Sequence, residues 1–298
     1  MHYTPHNYQQ AATRFIIHHE EAAILLGMGL GKTVITLTAV WELLLDYFEV
    51  SRVLVVAPLR VARDTWPAEL AKWSHRAGLT VAVAVGTKAD RLDALAQSAM
   101  VTVINRENIP WLVAHYGEAW PFGMVIIDEL SSFKNHRAKR FTPLVKMRPY
   151  VKRWGGLTGT PASNGLMDLW AQFRLLDGGE RLGRFITRYR DRWFTPDKRN
   201  GAQEFSYKTR EGAEDEIYQA IADMTLSMRT TDHLQHPKLT VTTQPVMLGA
   251  RERAVYYRLR EQMILDLDGQ VIDAANAAAL SGKLLQLASG AVYDEHGQ

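Results

Sequence analysis

The chain of 298 residues is 47% hydrophobic and 22% charged and has no cysteine, which excludes a disulfide framework or thiolate metal site and fits a reducing, intracellular setting. Its length allows one large or two small domains. Met1–His6 lacks the pattern of a signal peptide, and no apolar run reaches the roughly 18 residues of a membrane helix. The net charge is +3 but uneven: Leu130–Met167 holds eight Lys or Arg and no acid, and Arg181–Arg210 holds nine bases and three acids. The two windows together carry +14, which reads either as a surface for a polyanion or as a solvated basic face.

In chain order, short continuous apolar runs alternate with helical patterns. Ala22–Leu26, Val53–Ala57, Val81–Val85, Val101–Ile104 and Met124–Ile127 read as strands covered on both faces. Lys32–Tyr47 and Asp64–His75 read as helices; Trp66, Leu70 and Trp73 share one stripe of the second and fit core packing better than base stacking. This alternation over residues 1–160 predicts an α/β layer with a parallel sheet. Beyond Pro161, Leu166–Leu176 and Glu211–Met228 read as helices, Arg181–Arg210 as a polar, basic and aromatic stretch, Leu239–Leu248 as a strand and Arg251–Leu267 as a helix.

Two motifs carry chemistry. The first apolar run leads into Gly27-Met28-Gly29-Leu30-Gly31-Lys32-Thr33 and then a helix. In such a loop the backbone N–H groups cradle phosphates, Lys32 supplies a cation for the β- and γ-phosphates, and Thr33 supplies a hydroxyl for Mg²⁺. The run Met124–Ile127 ends in Asp128-Glu129. Asp128 suits Mg²⁺, and Glu129 suits a general base that orients the attacking water. Either acid would equally serve as a helix N-cap. His18, His19, His233 and His236 have no companion ligands in the sequence and read as surface residues.

These motifs and their neighbours resemble superfamily-two ATPases of the Swi/Snf-like branch, most like the compact versions of bacteriophages and bacteria. The resemblance rests on Tyr8-Gln9, the loop Met28–Thr33, Ala57-Pro58-Leu59 with Trp66-Pro67-Ala68-Glu69 and Lys72-Trp73, Asn105-Arg106-Glu107, Asp128-Glu129-Leu130-Ser131 with Phe133-Lys134-Asn135, and Gly156–Asn164 continuing into Asp168-Leu169-Trp170. Met228–His233, Pro237-Lys238 and Lys283–Gly290 extend it nearly to the end of the chain. It implies a RecA-like P-loop lobe over residues 1–165, a helical protrusion over 166–237, and a returning strand and linker helices over 238–298 toward a second lobe.

The resemblance also implies roles. Tyr8 and Gln9 would read adenine, and Met28, Gly29, Leu30, Gly31, Lys32 and Thr33 would hold the phosphates. Thr33 and Asp128 would hold Mg²⁺, and Glu129, Lys32 and Asp128 would be catalytic. Thr158, Gly159 and Thr160 would couple this site to a nucleic-acid groove, unless they form only a strand-to-helix turn. Pro58, Arg60, Arg106, Lys134 and Arg137 are the candidate DNA contacts, of the kind that position without reading sequence. The expected function is that of a motor lobe using ATP and Mg²⁺ on DNA, double-stranded DNA favoured, in a bacterial host cytoplasm if phage-encoded. A strand-separating DNA or RNA helicase, and a non-catalytic ATP- and DNA-binding module needing a partner chain, are the alternatives. Two departures stand out: Ser131 replaces the end of the family's usual acidic box, and the second lobe with its arginine fingers is expected from a C-terminal continuation or another chain.

Overall fold

A computed structural model describes residues 2–74, 78–200, 203–229, 242–262, 264–267, 270–273 and 277–290. The chain forms two compact units, 1–235 and 236–298. In the first, the strands are β1 (Glu21–Leu26), β2 (Val53–Ala57), β3 (Val81–Ala84), β4 (Val101–Asn105), β5 (Met124–Asp128), β6 (Arg153–Thr158), β7 (Phe194–Asn200), β8 (Gln203–Thr209) and β9 (Thr225–Met228). The helices are α1 (Asn7–His18), α2 (Lys32–Trp41), α3 (Trp66–Lys72), α4 (Lys88–Ala96), α5 (Ile109–Tyr116), α6 (Phe141–Lys146), α7 (Leu169–Asp177), α8 (Ile186–Trp193) and α9 (Ala213–Ile221).

Seven strands form one sheet in the order β3-β4-β2-β5-β6-β1-β9, every neighbouring pair parallel. Alternate residues of each strand feed opposite cores, as strand geometry requires. Ile24, Val55, Val103 and Ile126 pack with Ile16 of α1, Leu37 of α2 and Trp66 of α3. Leu25, Val56, Ile104 and Ile127 pack with Leu112 of α5, Leu144 of α6 and Phe173 of α7. With helices on both faces, strands need continuous apolar runs, which is what the sequence supplies.

The structure departs from the sequence reading in four places. First, β6 enters the centre of the sheet between β5 and β1 although Gly155 and Gly156 weaken its pattern. A Cβ on Gly155 would lie 2.5 Å from Ile126 Cδ1, and one on Gly156 2.7 Å from Leu130 Cδ2, so the glycines admit neighbours that side chains would displace. Second, the expected helix 211–228 ends early. Its last four residues are β9, which pairs with β1 and lends the Met228 carbonyl to the Gly27 N–H at 3.3 Å.

Third, the basic, aromatic stretch contains α8 and the antiparallel hairpin β7–β8, and Tyr189, Trp193 and Phe194 lie in the same core as α7. Helices α7, α8 and α9, within the segment 166–237 expected as a protrusion, therefore share a hydrophobic core with the sheet. Fourth, 242–248 is irregular where a strand was expected, with Pro245 unable to donate to a ladder. In this second unit the helix Ala250–Gln262 stops short of 267, and Ile264–Leu267 pairs antiparallel with Gln270–Asp273. Leu259 is buried against Val255, Leu280, Leu284 and Leu287. Residues 230–241 of the expected brace segment, with His233, His236, Pro237 and Lys238, lie outside the described residues.

The basic windows do not form one surface. Arg153 is only 3% exposed. Its Nη2 donates to the carbonyls of Ile16 (2.8 Å), Ile17 (2.6 Å) and His19 (2.9 Å), satisfying the end of α1, and its Nη1 donates to Glu49 at 2.8 Å. Arg148 binds the Leu176 carbonyl and the Glu21 carboxylate, and Arg181 bridges Glu21, Asp177 and Asp223. Removing a buried partner of such a network leaves acceptors unpaired. Arg153→Ala is therefore expected to cost about 3 kcal/mol or more of unfolding free energy, measured by urea titration. A loss below 1 kcal/mol would show that water replaces the guanidinium without penalty.

Candidate nucleotide site

The candidate segments leave the sheet along one edge. β1 leads into Gly27–Thr33, β2 into Pro58–Arg60, β4 into Arg106, β5 ends on Asp128 and β6 on Thr158. Parallel strands bring their carboxyl ends together, and the crevice outside those ends is where open α/β sheets bind ligands.

The loop after β1 turns on Gly29 (φ 81°) and Gly31 (φ 78°), both in the left-handed region that glycine adopts without strain. α2 starts at Lys32, immediately behind Gly31. Lys32 Nζ donates to the carbonyls of Leu26 (2.8 Å) and Gly27 (3.2 Å), so the amine is folded back onto its own loop. Burial lowers its pKa, opposed by Asp128 and Glu129. In front of the loop is a cavity of about 630 Å³, lined on one side by Tyr3, His6, Gln9, Gly31, Lys32 and Thr33 and on the other by Thr65, Glu69, Lys72 and Trp73.

Gln9 belongs to this wall. Its Oε1 accepts from the His6 N–H at 2.9 Å, and its Nε2 donates to the Leu30 carbonyl at 3.4 Å. Tyr8 sits behind it, 8% exposed, with its hydroxyl pKa raised by burial and its ring stacked on His6 at 5.6 Å. Met28 (85% exposed) and Leu30 (fully buried) are not among the residues that line the cavity, which leaves their backbone as their part in the loop.

The acidic pair lies beyond Lys32. Trp66, fully buried, donates its Nε1–H to Asp128 Oδ2 at 2.8 Å. Burial raises the Asp128 pKa, assisted by Glu129 and opposed by Trp66 and Lys32. Glu129 takes a left-handed backbone, φ 59° and ψ 64°, an unusual state for a residue with a side chain. Its carboxylate Oε1 accepts from the Ser131 hydroxyl and from the fully buried Thr158 hydroxyl at 2.9 Å. Thr158 Oγ1 in turn accepts from the Thr160 N–H at 3.2 Å. A Cβ on Gly159 would stand 3.2 Å from the Leu26 carbonyl and 3.8 Å from Lys32 Nζ, so the loop after β6 lies directly against the phosphate loop. Ser131, the departure from the acidic box, thus contacts the carboxylate two residues before it.

The candidate DNA contacts divide. Arg60 and Arg137 are exposed on this edge, and Pro58 caps the turn after β2 by accepting from the Ala62 N–H at 2.8 Å. Arg106 is paired with Glu107 at 2.8 Å. Lys134 is 3.4 Å from Asp168 and donates to Ser163 Oγ at 3.1 Å, which ties the loop after β5 to the loop after β6. Sequence reasoning missed the Trp66–Asp128 bond, the Lys134 bridge and the far cavity wall of Thr65, Glu69, Lys72 and Trp73. The positions of these residues in the motifs were visible, but their partners are up to 62 residues away.

The two loop glycines differ in a testable way. A Cβ on Gly29 meets nothing within 4 Å, whereas one on Gly31 would lie 2.8 Å from Gln9 Nε2. Gly29→Ala is expected to cost only the backbone strain, about 1–2 kcal/mol. Gly31→Ala is expected to lose more and to shift the Gln9 side-chain amide resonances in NMR. Equal losses with an unmoved amide would refute the contact.

The comparisons with known proteins fit this arrangement. The SNF2-related domain matches residues 8–287. The putative protein p41 of Acyrthosiphon pisum secondary endosymbiont phage 1 is 39% identical over 299 residues, covering 98% of this chain and 65% of that protein. A RAD54-like DNA repair and recombination protein of Drosophila willistoni is 31% identical over 157 residues, covering 48% of this chain and 20% of that protein. The chain thus spans less than two thirds of the length of either relative. Among solved structures, the Sulfolobus solfataricus SWI2/SNF2 ATPase core in complex with dsDNA superposes with a TM-score of 0.62 at 23% identity, over 76% of this chain and 45% of that one. The same organism's SWI2/SNF2 ATPase core domain gives 0.57 at 22%, over 88% and 53%. Both share the fold of the sheet and its flanking helices, and the match from the helix carrying Gln9 through nearly the last described helix places the chain in the SNF2-related domain family.

Proposed function

We propose that this chain binds ATP with Mg²⁺ in the cavity before the Gly29–Gly31 loop and serves as the first motor lobe of a DNA-dependent ATPase, with double-stranded DNA as its track. The observation that carries this is the convergence of three strand ends beside α1: a glycine loop with its lysine, an acidic pair, and Thr158 hydrogen-bonded to that pair, with Gln9 of α1 on the cavity wall.

The donor set fits a hard divalent cation. Thr33 and Asp128 offer oxygen ligands, Asp128 Oδ2 is already committed to Trp66, and among the described residues no group of three or more His, Asp or Glu could hold a metal by itself. Thr33, Asp128 and the nucleotide's own phosphates would hold the ion, which when bound neutralises charge on the phosphate oxygens. Lys32 leaves the Leu26 and Gly27 carbonyls for the β- and γ-phosphates. Gln9 exchanges its Leu30 contact for the adenine edge. Glu129, oriented by the Thr158 and Ser131 hydroxyls, accepts a proton from the attacking water. Thr158, Gly159 and Thr160 connect that carboxylate to the outer loop, so contact with DNA there alters how Glu129 is held.

Phosphoryl-transfer sites completed by an arginine from another segment gain about 10³–10⁵ in rate. A second lobe, from a continuation of the chain or a partner, would supply it. The 298 residues alone are therefore expected to bind ATP and turn it over slowly, with Lys32→Ala abolishing binding and Glu129→Gln sparing binding but removing the residual turnover. Calorimetry and phosphate release with and without duplex DNA check this; fast, DNA-stimulated turnover, or binding indifferent to Lys32→Ala, would sink the reading. Arg60→Ala should weaken duplex binding and flatten the dependence of log K on log salt by about 0.9, read by fluorescence anisotropy between low and physiological salt; an unchanged slope removes Arg60 from the track.

A further inference from the structure

The Trp66–Asp128 bond joins two parts of the molecule to which the family reading gives separate tasks. Trp66 follows the loop after β2, which carries Pro58 and Arg60, and it is the first residue of α3. Between that loop and α3, Val61–Thr65 forms a wide π-turn, a geometry that recurs at functional sites. The indole is fully buried and belongs to the same hydrophobic core as Ala57, Ala62, Val55, Met124 and Ile126. Its N–H reaches across to the carboxylate at the end of β5, 2.8 Å away.

An indole is a donor only and has one N–H in a rigid ring. Packed on all sides, it cannot turn to another partner, so it dictates the plane and rotation of the carboxylate that it holds. Oδ2 is engaged by the indole, and Lys32 lies near enough to act electrostatically on the same carboxylate. The Glu129 backbone amide also favours the ionised form of this carboxylate.

We propose that Trp66 is a positioning residue for the nucleotide site: by holding Asp128 Oδ2 it presents the other oxygen to the divalent ion, and it transmits displacements of the loop carrying Arg60 to that carboxylate. This rests on the reading of the cavity as an ATP·Mg²⁺ site. Movement of the loop by a bound polyanion shifts the π-turn, the indole and the carboxylate together, because no flexible side chain intervenes. The stripe of Trp66, Leu70 and Trp73 on α3 therefore does more than pack: its first member faces the metal carboxylate, while Trp73 lines the nucleotide cavity.

The test is Trp66→Phe, which keeps an aromatic ring and deletes the N–H. ADP binding is followed by calorimetry in EDTA and across a Mg²⁺ series, beside thermal melts. The expected result is a Mg²⁺ half-saturation raised about tenfold, the size of effect typical of groups that orient a metal ligand, with metal-free ADP affinity unchanged and the melt still cooperative. An unchanged Mg²⁺ half-saturation in the folded variant overturns the proposal. If the variant does not fold, the wild-type chain decides: with saturating ADP, the Trp66 indole N–H resonance must move on adding Mg²⁺, and one that stays put overturns it. If wild-type protein and Lys32→Ala bind ADP equally poorly, the site reading itself falls and this inference with it.

Discussion

Every strand of the main sheet runs in the same direction, and the rest of the candidate site depends on that constraint. A parallel sheet delivers all its carboxyl ends to one edge, so segments scattered from Gly27 to Thr160 in the chain emerge side by side. Being covered by helices on both faces, its strands must be apolar throughout, and only their last residues are free to carry function. Asp128 and Thr158 are such last residues, and Lys32 and Arg60 lie in the segments that follow. The hydrophobic interior and the chemistry are thus separated along each strand, not between its two faces.

The edge is organised by hydroxyls and amides as much as by charge. Thr158 and Ser131 meet on one oxygen of Glu129, whose backbone is held in a conformation that most residues avoid. Such strain persists only where surrounding contacts over-determine it. Here one of those contacts comes from the end of β6, so the geometry of the acidic pair and that of the Thr158–Thr160 loop are linked. Arg153 performs a comparable task at the opposite end of β6, fixing α1, the helix that carries Gln9.

Much of this was legible in the sequence because it is local. Apolar runs announced five strands, and the glycine loop and acidic pair stood at the ends of two of them. What was not legible was pairing. β6 was hidden by Gly155 and Gly156, which are there because Ile126 and Leu130 press against the strand, a fact of tertiary packing. β9 looked like the tail of a helix, and only its place beside β1 makes it a strand. The sequence carries a local signal near both hairpins, since Asn200-Gly201 and Asp268-Gly269 are dipeptides of the kind favoured in hairpin turns. The basic windows misled because charge counts cannot distinguish Arg153, which binds three carbonyls inside the protein, from Arg137 on its surface.

The join between β9 and the phosphate loop has a mechanical consequence. β9 is the last strand of the seven-stranded sheet in sequence. Its final residue is hydrogen-bonded to Gly27, the first residue of the loop. A displacement of β9 therefore reaches, through that hydrogen bond, the base of the loop that carries Lys32. Loosening the end of the sheet and loosening the glycine loop thus draw on the same backbone hydrogen bond.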